Sequence, residues 1–536
     1  MKKDNASEEI DSRAGKNVEE DAGKNTGNDA GESVGANEQV LAEYIVSTGG
    51  EFATILIRRS KEELVDIYEV RHAKVKEATQ VALDWLREKI VESVPLKVSE
   101  LLDPREAESV RFRVYERAKE LVSKELAGLN PREEDFVVGK LVHEMLGLGE
   151  IELILADDNL EEIVVNSARE PIWVYHRKFG WLKTNVYMQS EEQIQNYSSI
   201  IGRKVGKQIS NLSPLMDAHL LSGDRVNATL FPISTKGNSI TIRKFAKDPW
   251  TVITLIDNKT LNFEIASLFW LGVQFELNML IGGGTASGKT SLLNAILEFT
   301  PPNQRIVSIE DTRELVLPEF LHWTPLSTRQ ANPEGKGGVE MLDLMVNSLR
   351  MRPDRIVVGE IRRQREAEVM FEAMHTGHAV YSTVHADNVA QVKTRLVNPP
   401  IALPESVLGA LHLVAVQYRQ RRTGIRRVFE IAEAVPKPNG TVDFNTVYKW
   451  DARKDVLVKV GQFKRVMEDL SLHTGWTTRE LSQDLKEKEK LLHSMKKHNM
   501  LKINEIGKVV AEYYRNREYV LSIMNKDKGF GEIMLS

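Results

Sequence analysis

Residues 278–297, NMLIGGGTASGKTSLLNAIL, constrain this chain more than any other stretch, because they set a strand, a glycine-rich loop and a helix in the succession that closes backbone around phosphate. Gly283, Gly284, Thr285, Ala286, Ser287, Gly288, Lys289 and Thr290 satisfy the pattern GxxxxGK[ST]. The apolar run before the loop reads as a buried strand, and SLLNAIL after it as a helix with its apolar face inward. Glycines let N–H groups approach phosphate oxygens, the helix N-terminus adds a positive dipole end, and Lys289 reaches the outer phosphates. Thr290 is expected to hold Mg2+, and Ser291 continues the nucleotide-binding set into the first helical turn. A strand–loop–helix of this kind implies an α/β domain with a parallel sheet built by crossovers.

At 536 residues the chain exceeds one core, and its 42% hydrophobic and 28% charged side chains are those of an ordinary soluble protein. The net charge of −5 is local. Ten of the 77 acidic and five of the 72 basic side chains fall in residues 1–40, so the other 496 residues carry 67 of each and are formally neutral. No broad basic field suggests nucleic acid as a partner. With no cysteine, disulfides, thiolate zinc sites and thiol catalysis are excluded. No run approaches 18 apolar residues and the N-terminus lacks an apolar signal core, so a cytosolic protein is expected.

Five regions are expected. Residues 1–40 are acidic, rich in Gly and Asn, and read as a disordered tail. Residues 41–145 read as an α+β or helical module, with strand-like FATILIRR and ELVDIYEVR before two apolar stripes. One stripe is Val75, Ala78, Ala82, Leu86 and Ile90; the other is Val110, Val114, Ala118, Leu121 and Val122. Residues 146–250 read as a sheet domain and linker, 251–445 as the nucleotide domain, and 446–536 as a charged helical segment.

Three segments beyond the loop narrow the chemistry. RIVSIEDTREL places Glu310 and Asp311 at the carboxyl end of a strand, where they adjoin the ligand crevice of an α/β sheet. RIVVGEI ends a second strand on Gly359 and Glu360, a carboxylate able to bind Mg2+ and polarise an attacking water. HTGHAVYSTVHA brackets a third strand with His378 and His385; they lie too far apart for zinc, and His378 is taken as a polar sensor near the terminal phosphate. The basic turn RQRRTGIRR, 419–427, reads as a solvated hairpin.

The succession GGTASGKT, IEDTRE, RPDRIVVGEIR and HTGHAVYSTVHA resembles the Walker A, Asp, Walker B and His boxes of the type II/type IV secretion ATPase superfamily. GDRVNATL, SITIRKF and GEIRRQREAEVMFEAMHTGH are most similar to its archaeal branch, which includes archaellum and pilus motors. The resemblance implies a RecA-like P-loop domain preceded by an α+β N-terminal region, and a ring hexamer with ATP between protomers. It implies a Mg-dependent ATPase that powers assembly or rotation of a membrane-anchored filament, or secretion, at the inner face of the membrane. Expected partners are a polytopic membrane platform protein and filament-assembly proteins, without nucleic acid. Carried onto this sequence, Glu360 is the Walker B glutamate and shares Mg2+ with Thr290, Glu310 is an Asp-box acid beside Asp311, and His378 is the His-box residue. Arg225 and Arg243 resemble the family's N-domain arginines, which would meet the phosphate across a boundary. A nucleic-acid translocase with the same core is the alternative. A GTP switch would want an NKxD motif, and Asn258-Lys259 is followed by Thr260-Leu261.

Overall fold

The computed structural model describes residues 38–71, 77–94, 107–126, 128–149, 151–220, 222–245, 248–329, 331, 335–526 and 528–535. The expected tail lies outside them up to residue 37, as do Val75 and the side chain of Ala78. Residues 38–40 belong instead to a strand.

The first sheet contains β1 (Glu38–Thr48), β2 (Glu51–Ser60), β3 (Ile67–Arg71), β4 (Leu160–Val165), β5 (Pro171–His176), β6 (Gly180–Tyr187), β7 (Leu215–His219), β8 (Arg225–Thr229) and β9 (Ser239–Arg243). Their order is β1-β2-β3-β6-β5-β4-β9-β8-β7. Gly49 and Gly50, both at positive φ, make the two-residue turn that folds β1 back on β2. β3 then pairs with β6 in parallel through Ile67–Lys183 and Tyr68–Thr184. The boundary expected at 145/146 is therefore corrected: strands from both sides of it share one sheet and one core, in which Ile55, Ile57, Ile163, Val174 and Val226 are fully buried. Between β3 and β4, among the described residues, the helices Glu77–Ser93, Ala107–Glu125 and Pro131–Leu146 pack as a bundle, and the short helix Ile151–Ala156 packs on the sheet core. The bundle's own core joins Leu86 and Ile90 to Val114, Ala118 and Leu121. The third helix starts at a capping box, Asn130 with Glu133, and has Pro131 in its first turn.

The second sheet contains β10 (Met279–Gly283), β11 (Ile306–Glu310), β12 (Trp323–Ser327), β13 (Arg355–Glu360), β14 (Ala379–Val384), β15 (Leu413–Arg419), β16 (Arg426–Pro436), β17 (Val442–Asp451) and β18 (Val456–Lys459). In the order β12-β11-β13-β14-β10-β15-β16-β17-β18, the first six are parallel and the last three continue antiparallel. The strand period of two sends alternate side chains to opposite cores. Met279, Ile281, Val357, Tyr381, Leu413 and Ala415 enter one. Leu280, Ile356, Val358, Val380, Val414 and Val416 enter the other. Both faces are covered, so these strands read as unbroken apolar runs.

The boundary expected at 445/446 is also corrected, because it falls inside β17. The C-terminal helices complete the core of the nucleotide domain. Trp270 stacks on Phe299 at 4.9 Å and donates to the Tyr514 hydroxyl at 2.9 Å, and that hydroxyl donates to the Phe299 carbonyl. Leu491, Leu492, Val509 and Val510 close the same core.

Candidate nucleotide site between the two sheets

A cleft of about 1730 Å³ separates the sheets, lined by the phosphate loop on one wall and by β7, β8 and β9 on the other. β10 delivers Gly283 to the carboxyl end of the sheet, and the helix Lys289–Leu297 leaves from there. Gly288 sits at φ 95°, a conformation that side chains disfavour, and caps the helix without a side-chain hydrogen bond. The first-turn N–H groups of Lys289, Thr290 and Ser291 therefore keep their donors for a ligand. The start of the loop is closed to extra carbon, since a Cβ at Gly283 would lie 2.8 Å from the backbone carbonyl of Gln417, while one at Gly284 would displace the Asp387 carboxylate, 2.9 Å away. Ser287 points inward and donates to the Gly284 carbonyl at 2.9 Å, while Thr285 and Ala286 form the exposed crest. Lys289 Nζ donates to the carbonyls of Gly283 and Gly284 at 3.0 and 3.1 Å and lies 4.0 Å from Glu360 Oε1. Burial lowers its pKa, and the Glu360 charge opposes that shift.

The strand-end carboxylates divide their tasks. Glu360, half-buried at the end of β13, faces Lys289 with Oε1 and accepts from Arg362 with Oε2. Asp311 accepts from Arg362 Nη1 at 2.9 Å. Glu310 is only 2% exposed. Its Oε1 accepts from the backbone N–H groups of Glu314 and Leu315 at 2.9 and 3.1 Å, and its Oε2 is buried without a partner. Burial pushes its carboxyl up to about 7. Glu310 thus fixes the loop 311–315, and the carboxylate that meets the phosphate-loop lysine is Glu360.

Arg225 and Arg243 lie opposite each other in register on β8 and β9 and line the far wall of the cleft. Arg225 grips Asp217 with two bonds of 2.9 and 2.8 Å. Arg243 reaches across to Glu314 at 2.9 Å. Beside them His219 Nε2 lies 3.0 Å from Thr312 Oγ1, and the Arg313 guanidinium sits 5.8 Å over Phe245. The two walls therefore touch through the segment 312–314.

His378 is corrected. β14 runs parallel to β10, so its carboxyl end and not its amino end meets the phosphate loop. His378 precedes the strand and stays at the opposite edge of the sheet, where its Nδ1 lies 3.2 Å from Thr376 Oγ1 and 3.3 Å from the Ala373 carbonyl. Seven residues of strand rise put it roughly 23 Å from His385. His385 is the histidine at the site, with Nε2 3.4 Å from Thr285 Oγ1.

Arg362, Arg426 and His219 line the cleft without having been singled out in the sequence. Arg426 Nε donates to the Ala286 carbonyl at 3.1 Å, so one residue of the basic turn braces the loop crest. The signal for Arg362 was its place two residues after Glu360, at the end of a buried strand. His219 carried none.

The donors suit a nucleoside triphosphate: a tight glycine cradle, an uncapped helix start and one half-buried ammonium. Mg2+ keeps most of its water and takes one or two protein oxygens besides substrate phosphates. Thr290 and Glu360, both on the cleft wall next to Lys289, suit that demand. Among the described residues no group of three or more His, Cys, Asp or Glu gathers to hold a metal by itself, and no helix is long and apolar enough to cross a membrane.

Residues 213–499 match the family model of type II/IV secretion system proteins. The chain is 35% identical to an uncharacterized protein of Methanocaldococcus jannaschii, over 74% of this chain and 71% of that one. It is 31% identical to a putative conjugal transfer protein of Mycobacterium tuberculosis, over 58% of this chain and 90% of that one. Among solved structures it is similar to the Legionella pneumophila ATPase DotB, at 22% identity over 67% of this chain and 93% of that one, with a TM-score of 0.39. The archaeal-branch resemblance accords with the M. jannaschii relative. From Asp217 to Arg426, every cleft residue described above falls within the matched span, and the chain belongs to the type II/IV secretion system protein family.

Proposed function

We propose that this chain is an ATP-hydrolysing motor, working as a ring hexamer, that drives assembly or rotation of a membrane-anchored filament, or secretion, from the inner face of the membrane. The observation that carries this reading is the convergence of Lys289, Glu360 and two arginines of a separate sheet on one cleft. In hydrolysis a water oxygen attacks the terminal phosphorus, the bond to the ADP oxygen breaks, and the water proton passes to a base. Glu360 Oε1 is the base that orients the water, and Lys289 stabilises charge on the leaving oxygens. Bound Mg2+, held through Thr290 and Glu360, would neutralise phosphate charge. Arg225 and Arg243 would add charge from the opposite wall, so that hydrolysis changes how strongly the two walls attract. Docking on a polytopic membrane protein would turn that movement into work on the filament.

Lys289→Ala and Glu360→Gln test this directly. Each is expected to lower ATP turnover by about a hundredfold or more, as loss of a central electrostatic or proton-accepting group does. Unchanged turnover in either sinks the assignment. The second reading, a conjugation-type translocase, is favoured by the name of the M. tuberculosis relative. Salt-dependent DNA binding together with DNA-stimulated turnover would establish it over the filament motor.

A further inference from the structure

Arg362 leaves the end of β13 with its backbone pinned. Its N–H and that of Arg363 both donate to Glu366 Oε2, at 3.1 and 3.0 Å, and the preceding Ile361 side chain is buried. From that fixed base the side chain turns back over the strand end. Nε and Nη2 hold Glu360 Oε2 at 3.1 and 2.7 Å, while Nη1 holds Asp311 Oδ2 at 2.9 Å. One guanidinium therefore joins the carboxylates of two strands, and Glu360 is left with Oε1 toward Lys289.

We infer that Arg362 is a positioning residue for Glu360: anchored on Asp311, it fixes the carboxylate orientation that presents Oε1 to the phosphate loop. The inference rests on the ATP-hydrolysis reading of the same site. A glutamate side chain has several rotamers, and in-line attack requires the water to be held in one direction. A planar fork with donors on both edges selects it, which a lysine ammonium, a single point charge, does not. The Arg362 side chain is 59% exposed, so its ion pairs contribute little to folding and its variants should fold. A direct phosphate ligand in the same place would behave differently, because its loss weakens nucleotide binding as well as turnover.

The test uses the full chain, with steady-state ATP hydrolysis and, separately, titration of a fluorescent ATP analogue. Arg362→Gln is expected to lower kcat by about thirtyfold, between the tenfold and hundredfold typical of a misplaced reacting group, with analogue affinity held within about twofold. Asp311→Asn is expected to lose kcat in the same way, and the double variant to be no worse than Arg362→Gln alone, because both changes break one chain of contacts. Arg362→Lys should recover only a small part. An affinity loss as large as the kcat loss, multiplicative losses in the double variant, or wild-type kcat in Arg362→Gln would each overturn the inference. If Arg362→Gln unfolds, Asp311→Asn and Arg362→Lys decide by the same criteria. A wild-type chain that does not hydrolyse ATP removes the motor reading and this inference with it; a wild-type chain that does, beside an unimpaired Arg362→Gln, removes this inference alone.

Discussion

Glu310 shows how one residue can stand at a motif position on the cleft and also hold the loop that follows it. Its position at the end of β11 is what a sheet-crevice carboxylate requires, yet the side chain turns into the loop it starts, with one oxygen on two backbone N–H groups and the other buried alone. A buried carboxyl without a cation binds its proton more tightly, and this one is pushed from 4.5 up to about 7. The folded state then holds a proton that the unfolded state has released. The stabilisation is therefore complete below pH 4.5 and is lost as pH rises toward 7. At about 1.36 kcal/mol per pKa unit the full effect is on the order of 3 kcal/mol. Glu310→Gln keeps an acceptor for the amides of Glu314 and Leu315 and abolishes the titration. Denaturant midpoints measured between pH 5 and pH 8 should fall more steeply in the wild type than in the variant, and parallel curves would contradict the buried-acid description.

At the scale of elements, strand polarity decides which histidine can act. AVYSTV is legible as a strand because all six side chains are apolar or small, and the structure buries every one. Its direction relative to β10 follows only from pairing, and that pairing places His385 beside Thr285 and leaves His378 at the remote edge. His385→Ala is expected to lower ATP turnover by about tenfold, whereas His378→Ala should change it by less than about twofold. The reverse ranking in hydrolysis assays would return the role to His378. Three of the other parallel strands were equally plain, since the apolar stretches of MLIGG, IVSIE and RIVVGE are buried on both faces and show no alternation, whereas β12, WTPLS, is only half-buried and left no such run. β1 was less visible at its start because Glu38 and Gln39 continue the polar composition of the tail. The Gly49-Gly50 pair, a hairpin turn between alternating runs, was the local signal for it. Arg426 was hidden for another reason: a basic turn looks solvated until the fold lays it against Ala286.

At the scale of the molecule, the two region boundaries that failed, 145/146 and 445/446, depend on contacts distant in sequence. The pairing of β3 with β6 joins residues more than a hundred positions apart, and Trp270 meets Tyr514 across 244. Local periodicity does not encode such contacts. The same distance in sequence separates the walls of the cleft, and there it bears on how the motor would run. Within this chain Arg225 is held by Asp217 and Arg243 by Glu314, so each would have to exchange a carboxylate for phosphate to act. In a ring, a head-to-tail interface repeats the same pair of surfaces at every junction, and an arginine can reach the phosphate loop of the adjacent copy. Subunit mixing separates the two arrangements. Lys289→Ala and Arg243→Ala are each expected to be nearly inactive alone. If the arginine acts across copies, an equal mixture with free exchange places an intact Lys289 next to an intact Arg243 at about a quarter of the junctions, and roughly a quarter of wild-type turnover returns. If it acts within its own chain, no junction in the mixture is complete and activity stays at the level of the separate variants.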